Sequence, residues 1–266
     1  MNPHPSQFCN AYARHRAAEG RGYTGAALTA LPYLSSGPLA RQWTVRARSF
    51  EAFVRRIVAP MAKQTERPLD ILDLGAGNGW LCRHLAEMGH HATALDMRDD
   101  RIDGLGAAEE YLAASPDLFA RCVASFEDIP LADGGFDIAL FNASLHYAQN
   151  LQQVLGEAAR VTRAGGVIVI LDSPFYACEA GGEAMVTEKR AEAAARFGSD
   201  APALLSLPCI EYLTPRRLAV ASEALRLTWF RQRVSYPLWY EARPFWARLK
   251  GRRAPSRFDL WWARLP

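Results

Sequence analysis

The sequence of 266 residues predicts an α/β fold, a doubly wound sheet of seven strands behind a helical N-terminal cap. Three observations carry that prediction. From Leu69 onward short apolar runs alternate with helical stretches, the pattern of βαβ units feeding a parallel sheet. A glycine-rich turn, Gly75-Ala76-Gly77-Asn78-Gly79, joins the first apolar run to the first of those helices. Two late apolar runs, 225–237 and 256–266, read as a closing antiparallel pair after five parallel strands.

Each element has its own warrant. In the cap, residues 1–68, Phe50, Val54, Ile57 and Met61 recur at helical spacing with Phe53 beside them, which predicts an amphipathic helix over 40–62. The stretch before it is rich in Gly, Ser and Pro and offers Tyr23 and Tyr33 as pocket aromatics. Strands are expected near 69–75, 91–97, 119–125, 136–142 and 166–172, with helices near 79–89, 105–114 and 150–163 between them. The "RAGG" at 163–166 closes the last of these helices with a glycine cap. A helix over about 183–197 follows, then another with Thr214 as N-cap and Pro215 at its first position. The remainder, 69–266, forms the main domain, with an aromatic and basic insertion at about 237–256.

Composition narrows the class. Half the residues are hydrophobic and 22% are charged, which suits a globular protein rather than a disordered one. No apolar run reaches the length of a membrane span and the N-terminus lacks the pattern of a signal peptide, so a cytoplasmic location is expected. The five cysteines are scattered and never form a C-x-x-C pair, which favours reduced structural thiols over disulfides, and no metal is expected. Residues 1–60 hold eight Arg against two Glu, residues 226–266 ten Lys or Arg against two acids, and the middle 13 against 24. An acidic centre is thus flanked by basic ends, which suits an anionic substrate between them, nucleic acid, an acidic membrane surface, or ends that fold over the centre and pair with it.

The glycine turn is the chemical signal. Asp73 ends the first strand and Gly75, Gly77 and Gly79 allow a ligand to approach the backbone, while the start of the next helix attracts an anionic group. Asp96 closes the second strand, where a carboxylate can accept hydrogen bonds from both hydroxyls of a ribose. The G-x-G-x-G spacing, with Trp80 directly after it, lacks the third glycine of the dinucleotide pattern G-x-G-x-x-G and argues against NAD.

With "LDLGAGNGWL" at 72–81, "ALD" at 94–96, "SFEDIPLADGGFDIALFNASLHY" at 125–147 and "EAARVTRAGGVIVILDSP" at 157–174, the chain resembles the class I S-adenosylmethionine-dependent methyltransferases of the broad small-molecule type. The resemblance spans about Leu69 to Asp172 and implies a Rossmann-like sheet with S-adenosyl-L-methionine as cofactor. It implies that Asp73, Gly75, Ala76, Gly77, Asn78 and Gly79 surround the methionine part, that Asp96 binds the ribose, and that Met97 packs on adenine. Where the family often has an Asp for the adenine amino group this chain has Ser125, followed by Phe126, whose N–H faces the ring, and by Glu127 and Asp128, either of which could reach in instead.

Ligands of open α/β sheets lie beyond the carboxyl ends of the strands, so the acceptor site is expected after strands four and five. The fourth ends "FNASLHY", which brings Asn142, Ser144, His146 and Tyr147 toward the sulfonium. His146 is the candidate base because imidazole titrates near neutral pH, with Tyr147 beside it; the alternative is a histidine that only packs there. The fifth ends "LDSPFY", with Asp172, Ser173, Phe175 and Tyr176 as wall residues, and Trp43, Trp80, Tyr33 and Tyr147 as cation–π partners. Trp261 and Trp262 fit packing against the sheet. The expected function is methyl transfer to a small-molecule acceptor, apolar and anionic, with no nucleic acid as partner. The competing readings are a non-catalytic S-adenosylmethionine-binding protein, an RNA methyltransferase and an NAD(P)-dependent oxidoreductase.

Overall fold

The computed structural model describes residues 5–205 and 209–266, and of residues 5–8, 194, 196 and 203 the backbone alone. Seven strands form one sheet in the order β3-β2-β1-β4-β5-β7-β6. They are β1 Asp70–Leu74, β2 His91–Asp96, β3 Ala120–Val123, β4 Phe136–Asn142, β5 Thr162–Leu171, β6 Trp229–Gln232 and β7 Leu260–Arg264. The first five run parallel, and β7 lies antiparallel between β5 and β6. The strand order reverses at β1, between β2 and β4, and the glycine turn leaves β1 there. That is the switch point where open sheets bind ligands.

Both faces of the sheet are covered, which is why β1 and β4 read as near-continuous apolar runs. One face packs against Phe50, Phe53, Trp80, Leu81 and Leu85. The other packs against Val154, Leu155, Ala158 and Leu218. The helices responsible are α3 Ala40–Phe53, which passes through a π-helical turn at Val54–Val58 into α4 Ala59–Thr65, and α5 Trp80–Glu87 on the first face. On the second lie α7 Leu151–Val161 and α10 Pro215–Ala221, with the short α6 Glu109–Leu112 and the longer α8 Glu179–Phe197 and α9 Ala201–Leu204 elsewhere along the chain. The expected cap at Thr214 forms, its Oγ1 accepting from Arg217 N at 3.0 Å, and the structure adds a cap at Asn150, whose Oδ1 accepts from Gln153 N at 3.2 Å.

Several expectations need correction. The N-terminal cap carries a further helix, α1 Pro5–Ala18, and the Gly/Ser/Pro stretch contains α2 Gly25–Thr29, with Tyr23, Leu28 and Leu31 buried. The helix expected near 105–114 is a 3-10 turn followed by the single turn α6. The "RAGG" does not cap α7; β5 begins at once at Thr162, and the left-handed Gly165 lies inside it, beside a register shift against β4. The closing strands are shorter than expected, and 237–256 holds α11 Leu238–Glu241 and α12 Arg243–Leu249. Trp261 stacks on Phe175 at 4.6 Å and Trp262 on Phe230 at 4.6 Å, both as sheet packing. No described helix is long and apolar enough to cross a membrane.

Candidate active site

The turn after β1 is forced by its backbone. Gly75, Gly77 and Gly79 have φ of 81°, 56° and 76°, a region that residues with a Cβ rarely adopt. A Cβ on Gly75 would also stand 2.4 Å from Ser144 Cβ, because the loop leaving β4 crosses close to the turn. Asn78 Oδ1 accepts from Trp80 N at 3.2 Å and so holds the start of α5, while Trp80 turns inward against Trp43 and Phe50.

Asp96 ties the turn to β2. Its Oδ2 accepts from Gly77 N at 2.8 Å and its Oδ1 from Arg98 N at 2.9 Å. Burial raises its pKa and the two backbone N–H groups oppose that shift. Each carboxylate oxygen can take a second donor, so the group can accept a diol without losing its backbone partners.

A cavity opens from this turn along the ends of β2 and β4. Its wall includes Gly75, Ala76, Gly77, Asn78, Asp96, Met97, Ser125, Phe126, Glu127, Asn142 and Tyr147. Of the residues expected around a cofactor, the structure therefore gathers all but Asp73 and Gly79. Asp73 is fully buried behind the turn, one carboxylate oxygen without a hydrogen bond and the other 4.0 Å from Cys82 Sγ. Burial first, and the charge of Asp96 second, push its pKa up to about 8. Gly79 is a helix N-cap that packs against Phe119. Glu127 Oε1 accepts from Gln149 N and Asn150 N, and Ser125 Oγ accepts from Glu127 N, so both side chains brace the loops at the rim. Asp128 is exposed and off the wall.

On the acceptor side His146 is also off the wall. Its ring lies 4.2 Å from that of Tyr147, its Nδ1 is buried without a partner, and burial followed by the charges of Lys189, Arg46 and Arg16 lowers its pKa to about 3. It is therefore neutral and does not line the cavity. Asp172, Ser173, Phe175 and Tyr176 stand away from the cavity as well: Asp172 Oδ1 accepts from Ser49 Oγ at 2.5 Å, and Tyr176 accepts from Arg253 at 3.1 Å. Tyr33 is 53% exposed, and Tyr23 accepts from Trp43 Nε1 at 2.7 Å inside the cap.

Sequence reasoning missed the roof. From α1, Tyr12 and Arg16 reach over the cavity; Tyr12 donates to Tyr147 Oη at 3.0 Å and Arg16 Nε meets Asp103 Oδ2 at 2.7 Å. Arg21, Trp43 and Arg46 complete the wall from the rest of the cap. One signal was available, since Tyr12 and Arg16 are four apart and Trp43 and Arg46 three apart, spacings that set both members of a pair on one helix face.

These residues fit the cofactor that the resemblance implies. A doubly held carboxylate at Asp96 stands at the strand end for a ribose, the half-exposed Met97 offers an apolar platform beside it, and Trp43 and Tyr147 supply aromatic surface for a sulfonium.

Comparison with known proteins agrees with this geometry. Residues 72–170 match the family profile described as a methyltransferase domain. Malonyl-[acyl-carrier protein] O-methyltransferase of Pectobacterium atrosepticum is 37% identical over 100 residues, which is 38% of this chain and 37% of that protein. Sarcosine/dimethylglycine N-methyltransferase of Halorhodospira halochloris is 34% identical over 105 residues, 38% of this chain and 37% of that protein. The chain thus spans well under half the length of these curated relatives. Among solved structures, a SAM-dependent methyltransferase of Thermotoga maritima superposes with a TM-score of 0.54 at 11% identity, covering 97% of this chain and 99% of that one, a likeness of fold. Residues 72–170 thus match a methyltransferase domain, and the glycine turn, Asp96 and a seven-stranded sheet of this order are similar to those of class I S-adenosylmethionine-dependent methyltransferases.

Proposed function

We propose that the protein transfers a methyl group from S-adenosyl-L-methionine to a small-molecule acceptor that is apolar and anionic. The observation that carries this reading is the roof: the Tyr12–Tyr147 hydrogen bond and the Arg16–Asp103 ion pair bridge the cap and the sheet across the cavity, so the acceptor must be small enough to lie beneath them. When bound, the cofactor supplies an electrophilic methyl group on a sulfonium. The chain's part is to hold the two reactants in line and keep water out. In this reading Gly75 and Gly77 approach the methionine end, Asp96 accepts the ribose hydroxyls, Met97 and Phe126 bracket the adenine beside Ser125, and Asn142 and Tyr147 face the transferred group. Burial raises the pKa of Tyr12, so Tyr12 meets the acceptor as a neutral hydroxyl hydrogen-bonded to Tyr147. His146 serves as packing behind Tyr147, and a nucleophile that is already ionised needs no base.

The relatives are named for O-methylation of a malonyl group and N-methylation of sarcosine and dimethylglycine. They differ in the atom methylated, but each named acceptor carries a carboxylate, which supports a carboxylate-bearing acceptor. RNA is disfavoured by the C-terminal cations, several of which are already matched: Arg231 to Asp259, Arg233 to Glu241 and Arg253 to Glu188. An oxidoreductase is disfavoured by Trp80, which stands directly after the turn, lines the cavity and packs edge-on against Trp43 and Phe50.

Calorimetry with S-adenosylmethionine, S-adenosylhomocysteine and NADPH tests the cofactor. Binding of the first two and not the third is expected, and the reverse would return the chain to hydride chemistry. Mass-spectrometric detection of a methylated product from a pool of small acids then separates the enzyme from a non-catalytic binder.

A further inference from the structure

Four arginines stand on the cavity wall, Arg16, Arg21, Arg46 and Arg98. Three are matched inside the protein. Arg16 pairs with Asp103 at 2.7 Å, Arg21 with Glu19 at 3.0 Å and Arg98 with Asp100 at 2.6 Å. Arg46 is different: among the described residues its guanidinium makes no hydrogen bond and no ion pair, and it lies over the ring of Trp43, 5.1 Å from the ring's centre. Asp172 and, less strongly, Asp103 attract it, yet neither comes within ion-pair distance: Asp172 spends one oxygen on Ser49 and leaves the other buried without a partner, and Asp103 is taken by Arg16.

Arg46 is half-buried on the cavity wall, so its guanidinium has lost part of its water without gaining a partner. Removing a guanidinium from water is unfavourable unless an anion or acceptors replace the water, and here Arg21 and Arg16 add like charge. Burial first and Arg21 next lower the pKa of Arg46. Such a group fits a site completed by a ligand. Its place within the cavity identifies which end of the ligand set it serves. The turn and Asp96 lie at the ends of β1 and β2, whereas the electrostatic neighbours of Arg46 include Asp172 at the end of β5 and His146 after β4. That is the acceptor's side of the cavity, where Trp43, Tyr12 and Tyr147 provide aromatic surface around it.

Resting on the proposed methyl-transfer reading, we infer that Arg46 is the specificity-determining residue for the acceptor and binds its carboxylate, the rest of the acceptor being an apolar body against Trp43 and Tyr147. The planar guanidinium matches a carboxylate through two parallel N–H donors, which a lysine cannot do.

The test uses the full chain saturated with S-adenosylhomocysteine and four probes, 3-phenylpropionate and octanoate with their neutral amides, titrated by calorimetry into wild type, Arg46→Met and Arg46→Lys. Wild type is expected to prefer at least one carboxylate over its amide by tenfold or more. Arg46→Met should abolish that preference, Arg46→Lys should retain part of it, and S-adenosylhomocysteine affinity should change by less than threefold in both. Arg46→Met should also melt above wild type, since an unmatched cation is removed, which doubles as the check that the variant folds. Equal binding of acids and amides by wild type, or a preference that survives in Arg46→Met, overturns the inference. So does a tenfold or greater loss of S-adenosylhomocysteine affinity in Arg46→Met, which would assign the guanidinium to the cofactor's own carboxylate. Failure of wild type to bind S-adenosylhomocysteine at all is a separate result and counts against the methyl-transfer reading itself.

Discussion

The backbone N–H of Gly77 donates to Asp96 Oδ2 at 2.8 Å, and this single bond joins the turn after β1 to the end of β2. The two parts of the proposed cofactor site, 19 residues apart in sequence, are therefore held in register by the protein itself. A ligand that bridges them meets a preformed site and loses little free energy in ordering it.

Asp96→Ala removes both the diol acceptor and the anchor of the turn. S-adenosylhomocysteine should bind more weakly by about 1.5 to 3 kcal/mol, the scale of a hydrogen bond to a charged group. Asp96→Asn, which keeps one oxygen, should fall between. Isothermal titration of the three proteins checks the order, and an unchanged affinity in Asp96→Ala would remove this residue from the site.

Gly77→Val tests the turn from the other side. At φ 56° a β-branched residue is strained, and the new Cβ would lie 3.1 Å from the carbonyl oxygen of Asp103. The turn must move, breaking the bond to Asp96, so cofactor binding should be lost while far-UV circular dichroism stays that of wild type. A folded variant that still binds would place the cofactor elsewhere.

The sheet and the turn were legible in the sequence because both are local signals: apolar runs of strand length, and glycines where positive φ is required. The roof was not. Helix α1 has a weakly amphipathic sequence, since the face bearing Tyr12 and Arg16 covers an open cavity rather than the packed core, and periodicity arguments see only apolar faces. The role of Asp73 was equally hidden. As the last acid before the glycines it reads as a ligand, yet it stands behind the turn, a distinction that depends on which way one strand side chain points. The unmatched state of Arg46 is a tertiary property, because it depends on where Glu19, Asp100 and Asp103 end up relative to its three neighbours on the wall.

Asp73 makes stability depend on pH with a defined sign. Its folded pKa of about 8 exceeds the ordinary carboxylate value near 3.9, so between these limits the native state holds a proton that the unfolded chain releases. The protonated acid's contribution is complete below about pH 4 and is lost as pH rises toward 8. Asp73→Asn cannot titrate. The unfolding free energy of the variant relative to wild type should therefore rise with pH across that window, by up to about 1.4 kcal/mol per pH unit, and level off above it. Urea unfolding at pH 5, 6, 7 and 8 measures the difference, and a constant offset would show that Asp73 is ionised in the native protein.

Helix α1 should close the cavity only as firmly as its polar contacts allow. The Arg16–Asp103 pair is largely buried, with 16% and 11% of the two side chains exposed, so removing one partner leaves the other charge poorly solvated. In Arg16→Met that loss should weaken closure of α1 by about 1 to 3 kcal/mol. Two consequences can be read separately. Limited proteolysis without ligand should cut the segment joining α1 to α2 sooner than in wild type, because local opening sets the rate of such cleavage. S-adenosylhomocysteine should dissociate faster in stopped-flow measurements, while the melting temperature of the whole domain shifts little. Arg14→Ala provides the contrast, because the Arg14–Asp200 pair lies at the surface, with Arg14 61% exposed, and should leave both rates as they are. Equal proteolysis and equal release in Arg16→Met and wild type would mean that α1 is held by its apolar contacts and that Arg16 is no part of the closure.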